Sequence, residues 1–177
     1  MNAEAVRYFY SYHFAENRRL WDRYIAALPY AQFVQAAAYS HGSVRDQVVH
    51  LLDVDDVWFS ELQNIAPFDP IPDATGEDDR ASIRAHWDRV EQKMRAYLAD
   101  LPDEMLFTRP IQEPDEDQNL IVWQVLLHVV NHATDHRAQI LRQLNDLGVE
   151  TVSQDFIFYV YDRSEEHTSE LQSRQYL

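Results

Sequence analysis

Cysteine is absent from the 177-residue chain, and that absence removes disulfides, thiolate metal ligands and a cysteine nucleophile together. Any metal site must be built from histidines and carboxylates. Glycine occurs three times, too seldom for a turn-rich β protein or for a loop whose backbone cradles phosphate. Lysine occurs once, at Lys93, against fourteen arginines, a bias that points to a GC-rich bacterial genome and carries no information about activity. No apolar run approaches the length of a membrane span, and no basic segment followed by an apolar core opens the chain. A soluble cytoplasmic protein without a membrane partner is the expectation.

The end of the chain is set aside. Residues Arg163 to Ser173, RSEEHTSELQS, are what a common short-read sequencing adapter gives when translated in one frame. Residues 163–177, His167 included, are therefore read as an artefact and not as evolved sequence. The native chain is expected to continue past Asp162 in some other way. Residues 1–162 suit one domain of ordinary size.

What remains is rich in Ala, Leu, Arg, Glu and Gln, which favours an all-α fold. The formal charge is −15. In the tail Arg163 and Arg174 stand against Glu165, Glu166 and Glu170, which leaves −14 on the body. Such a surface repels phosphate backbones, so nucleic acid is excluded as a partner. The acidic runs at Glu77 to Asp79 and Asp115 to Asp117 read as solvated loops.

Four helical segments are predicted. The first runs from Glu4 to Leu28 and stops before Pro29. The second starts after His41-Gly42 with Ser43 as N-cap and Asp46 three residues on, a capping-box pattern, and reaches Ile65. It is apolar nearly all round, as buried helices are. The third spans Asp79 to Asp100. Pro102 to Gln118 reads as a long connection with an extended pair around Phe107 and Ile111. The fourth runs from Leu120 to Leu147 and ends at Gly148, a natural residue just past a helix. Phe156 to Tyr161 is expected to pack back as a short helix.

The fourth helix carries His128, His132 and His136 at four-residue spacing. At 100° per residue, His132 and His136 stand about 40° apart on one face, close enough for both imidazoles to reach one metal ion. Ile121, Val125, Val129, Ile140 and Leu147 fall within about 80° of His132, so this is the stripe that points into a core. Two polar rings on a buried stripe need partners. A metal with a third ligand satisfies them, and His50, alone in an apolar stretch of the second helix, is the expected third. The competing reading is a set of hydrogen-bonded core histidines, with His50 on a helix surface. His128, about 40° from His132 on the side away from His136, reads as a pocket residue or a weaker fourth ligand. His13, His41 and His86 read as surface or cap residues, with His86 a pocket-lining alternative. Arg137 is expected to pair with a nearby carboxylate, and the tryptophans read as core anchors.

The ordered set Ser43-Val44-Arg45-Asp46, His50, Trp58, Trp123 to His128, Asn131-His132 and His136-Arg137-Ala138-Gln139 resembles the DinB/YfiT-like family of metalloenzymes across Tyr8 to Asp162. The resemblance implies a four-helix bundle with a long crossover connection, commonly a homodimer. It also implies a divalent metal, usually nickel or zinc, held by His50, His132 and His136. Two positions depart from the family pattern. Asp135 stands where a histidine is frequent, and Ala138 where a glycine is frequent.

Three neutral imidazoles leave a metal its full charge and open positions, so it can lower the pKa of bound water or bind a thiolate and polarise a carbonyl. Asp46, Asp53, Glu61, Asp135 and Gln139 are the nearby groups that can take a proton or orient an imidazole, with Asp53, Glu61, His128 and Asp135 as catalytic candidates. The resemblance implies a small-molecule substrate and either a thiol-dependent transferase or isomerase using a low-molecular-weight thiol, or a hydrolase. The alternatives are a non-catalytic stress-response protein in which the ion staples the bundle, and a metal-free interaction module with His50 facing solvent.

Overall fold

The computed structural model describes residues 1–112 and 116–163, with the backbone alone at residue 116. The described residues are helical, with no strand. Helix α1 (Ala3–Leu20) opens on Asn2, whose side-chain oxygen accepts from the Ala5 N–H at 2.9 Å. It runs without a break into a π-helical turn, Trp21–Ile25, and the chain then leaves the helix before Pro29, as expected. The one-turn helix α2 (Tyr30–Phe33) follows.

Helix α3 (Val44–Glu61) begins with the predicted box. Asp46 N–H donates to Ser43 Oγ at 3.2 Å, and Asp46 Oδ2 accepts from the Ser43 N–H at 3.2 Å. It ends on Asn64 in the left-handed region at φ 53°, with the Ile65 N–H reaching back to Ser60 C=O at 3.1 Å. Helix α4 spans Arg80–Ala99 and α5 Val122–Asp146. Gly148 closes α5 at φ 85°, and Val149 N–H to Leu144 C=O at 2.9 Å completes the stop. Residues 156–163 are helical, as the aromatic cluster there predicted.

The connection after α4 corrects the reading around Phe107 and Ile111. Asp103–Phe107 is a 3₁₀ helix closed by local bonds, Met105 N–H to Pro102 C=O and Thr108 N–H to Met105 C=O. Neighbours in sequence satisfy this backbone, so no extended pair is needed. Glu116–Asn119 forms a second 3₁₀ turn.

Packing arranges the long helices in a ring, with α1 against α5 and α4, and α3 against α5 and α4. The links from α1 to α3 and from α4 to α5 both cross the diagonal, which gives the bundle its long crossovers. Val48, Leu51, Leu52 and Phe59 of α3 meet Val125, Val129, Ile140 and Leu144 of α5 in a core from which water is excluded. Trp21 and Trp87 pack edge to face at 5.8 Å. The α5 stripe that carries the histidines thus faces α3.

Helix α3 also departs from its apolar reading. Val57 is exposed, whereas Asp55 and Asp56 are buried. Lys93 of α4 donates to Asp56 and to Ser60 Oγ, and Asp56 Oδ2 accepts the Phe68 N–H at 2.7 Å. The single lysine of the chain is therefore consumed inside the bundle. Buried charges persist where partners satisfy them.

Candidate metal centre

His50 projects from α3 toward α5, where His132 and His136 stand one turn apart. The three rings converge, with centroid separations of 4.3 Å between His132 and His136, 4.6 Å between His50 and His136, and 5.1 Å between His50 and His132. The Nε2 atoms of His50 and His132 lie 3.2 Å apart. Two nitrogens bound to one tetrahedral ion at about 2.0–2.1 Å stand roughly 3.3 Å from each other, so this spacing suits a shared cation.

Hydrogen bonding fixes one tautomer. His136 Nδ1–H donates to Gln47 Oε1 at 3.0 Å, which frees Nε2 as a lone pair. Gln47 is fully buried and is held in turn by Gln139, whose Oε1 accepts from Gln47 Nε2 at 3.2 Å. An outer partner of this kind orients a ligating imidazole. His132 differs, because its Nδ1 is buried with no hydrogen-bond partner. An orphaned imidazole nitrogen is costly in a protein that closes on itself.

The rings are held neutral. Burial first, and then the neighbouring imidazoles, push His50 and His132 down to about 4. Burial also lowers His136, followed by His41, while Asp135 opposes the shift. Neutral imidazoles present the lone pairs that a divalent cation requires.

A fourth ring joins them. His41 lies in the turn before Gly42 and is exposed, in keeping with its reading as a surface or cap residue. Yet its ring stacks on His50 at 3.5 Å and lies 5.2 Å from His136. One ligand nitrogen from each of His41, His50 and His136 can be taken so that all lie within 4.8 Å of one another. Its spacing from His50 follows no helical period, so the sequence carries no signal for this contact.

The remaining candidates scatter. His128 is exposed, 5.7 Å from His132 and edge-on to Trp58 at 5.3 Å. Asp135 is exposed and accepts from Gln139 Nε2 at 3.0 Å. Asp46 is spent in the α3 cap, where Ser43 Oγ and Arg45 also donate to it. Asp53, one turn from His50, is half-buried, and burial followed by Asp56 raises its pKa. Glu61 lies about 16 Å farther along the axis of α3 than His50, at 1.5 Å per residue, on a separate cavity with Val57, Asn64 and Ile111.

Three expectations are corrected. His13 is fully buried, not a surface residue, and its Nε2–H donates to Asp55 Oδ2 at 3.1 Å. His86 is buried as well, its Nδ1 accepting from Arg89 at 3.0 Å beside the ring of Phe68. Arg137 donates to Asn17 Oδ1 at 2.8 Å, Gln154 Oε1 at 2.8 Å and Thr134 Oγ1 at 3.0 Å. These bonds, and a longer one to His13 Nδ1 at 3.5 Å, go to amides, a hydroxyl and an imidazole, not to the carboxylate expected. Residues 164–177, with His167, lie outside the described residues.

Compared with known proteins, the chain matches the DinB family profile over residues 1–169. No curated protein and no solved structure matches it significantly.

Proposed function

The chain belongs to the DinB family, and from that premise we propose that it is a metal-dependent enzyme of small-molecule metabolism or detoxification, with one divalent ion, nickel or zinc, held by His50, His132 and His136. The observation that carries this reading is the convergence of three imidazoles held neutral, with ring centroids 4.3 to 5.1 Å apart and the Nε2 atoms of His50 and His132 separated by 3.2 Å.

When bound, the ion supplies a Lewis acid that lowers the pKa of a low-molecular-weight thiol or of water. The chain supplies the rest. Gln47 keeps the His136 lone pair aimed inward, and the buried aliphatic side chains behind the rings keep water to one side. Asp53, its proton affinity raised by burial, is the carboxylate best suited to accept a proton at neutral pH. The exposure of His41 and half-exposure of His50 and His132 favour a site that small molecules reach over a closed structural staple. A metal-free module would leave His50 in solvent, whereas here the ring is half-buried among three others.

The test loads the protein with nickel or zinc and screens thiol transfer and ester or amide hydrolysis, with His132→Ala as control. The enzyme reading expects turnover that the variant lacks. A bound ion with no exchangeable water and no turnover, whose removal unfolds the domain, would replace it with the staple.

A further inference from the structure

The loop before α3 is built to hold an imidazole over this site. Ser40 and Gly42, on either side of His41, both occupy the left-handed backbone region, at φ 51° and 97°. A non-glycine residue such as Ser40 is strained in that conformation, and such strain persists where surrounding contacts over-determine it. Those contacts come from the helix that carries His132 and His136. Ser40 Oγ donates to Gln139 Oε1 at 2.5 Å, and Gln143 Nε2 donates to Gly42 C=O at 2.6 Å. Gly42 N–H closes the turn on Tyr39 C=O at 3.1 Å. A Cβ on Gly42 would meet Asp46 Oδ2 at 3.3 Å, inside the α3 cap. The turn is thus fastened to α5 on both sides of His41 and holds that ring face to face with His50 at 3.5 Å, so His41 has to turn about its side-chain bonds to aim a nitrogen at an ion shared with His50.

Resting on the metal-centre reading above, we propose that His41 is a fourth and displaceable imidazole ligand of the same ion, carried by the loop and not by the bundle. One ligand nitrogen each from His41, His50 and His136 already falls within a 4.8 Å cluster. The four rings differ in burial, with His136 buried, His50 and His132 half-buried and His41 exposed on the solvent side. The bundle therefore retains three ligands when the loop releases, and the incoming thiol or water takes the place of His41. An open groove of about 460 Å³ between Gln35 to Tyr39 and Arg142 to Leu147 borders the same loop.

Cobalt(II) titration of metal-free protein, followed by visible absorption, tests this with wild type, His41→Ala and His136→Ala. Wild type is expected to bind about one equivalent with the intense bands of a four-coordinate ion. His41→Ala should still bind cobalt, but at least about tenfold more weakly, since even partners one bond removed from a ligand cost 10–100-fold. Its bands should change, and added imidazole should restore them. His136→Ala should lose far more affinity, without rescue. Identical spectra and affinities for wild type and His41→Ala would overturn the proposal while leaving the three-histidine centre standing. Wild type that binds no cobalt would overturn the centre itself.

Discussion

Helix α5 turns polar side chains toward two neighbours, and the two faces are built differently. Toward α1, Arg137 donates to Asn17 and Gln154, and His13 is engaged by Asp55 at one nitrogen and by Arg137 at the other, at 3.1 and 3.5 Å. His13 and Arg137 are both almost wholly excluded from water, and Asp55 Oδ1 is the one atom of this group without a partner. Toward α3, His132 keeps a buried Nδ1 unpartnered, two Nε2 atoms face each other, and a fourth ring leans in from a loop. The first arrangement is a cross-brace whose side chains, apart from Asp55 Oδ1, satisfy one another. The second brings several neutral imidazoles together, with the Nε2 atoms of His50 and His132 at 3.2 Å, a spacing that serves either a hydrogen bond between the rings or a shared cation. Burial of a histidine is therefore not by itself the mark of a candidate metal centre, whereas the convergence of several neutral rings is.

The distinction predicts that damage to the two faces separates into stability and metal binding. The largest effect is expected from Arg137→Met, which strips donors from Asn17, Thr134 and Gln154 and leaves Asp55 with less compensation. It should cost about 3 kcal/mol or more in urea unfolding, with metal stoichiometry unchanged in the folded protein. His136→Ala should do the reverse, abolishing tight binding while moving the metal-free unfolding midpoint far less. If the two variants unfold alike and bind alike, the faces are not different in kind. Gln47→Leu should sit between them, weakening metal binding by about 10–100-fold because the His136 tautomer is no longer fixed. Calorimetric titration reads that loss, and unchanged affinity would show that the Gln47 bond does not orient the ligand.

The remaining prediction concerns protons. His50 and His132 titrate at about 4 in the folded protein against an ordinary value of 6.5. As pH falls, the unfolded chain takes up protons first. Metal-free stability should be full above about pH 6.5 and decline toward pH 4. His132→Asn should flatten that decline, and an equal slope in wild type and variant would remove these imidazoles as its cause.

Much of the scaffold was legible in the sequence because it depends on near neighbours. The Ser43 and Asp46 cap, the stop at Gly148 and the histidine stripe of α5 are each written within a few residues. Periodicity likewise put His132 and His136 on the face that meets α3. What stayed hidden depends on long-range contact. His41 is held by bonds from Ser40 and Gly42 to side chains about a hundred positions later. The pairs His13 with Asp55 and Lys93 with Asp56 join different helices, and in sequence each member looks like an ordinary surface residue. The 3₁₀ turn at Asp103–Phe107 escaped for the opposite reason, since its apolar residues resemble a short strand until its local hydrogen bonds are seen.

The most direct test of the metal centre is elemental analysis of untagged protein purified without chelator, comparing wild type with His50→Ala and His132→Ala. The account predicts about one equivalent of nickel or zinc in wild type and its loss in both variants. Wild type that holds no ion, even after reconstitution, would contradict it and leave the converging histidines of α5 as features of the bundle alone.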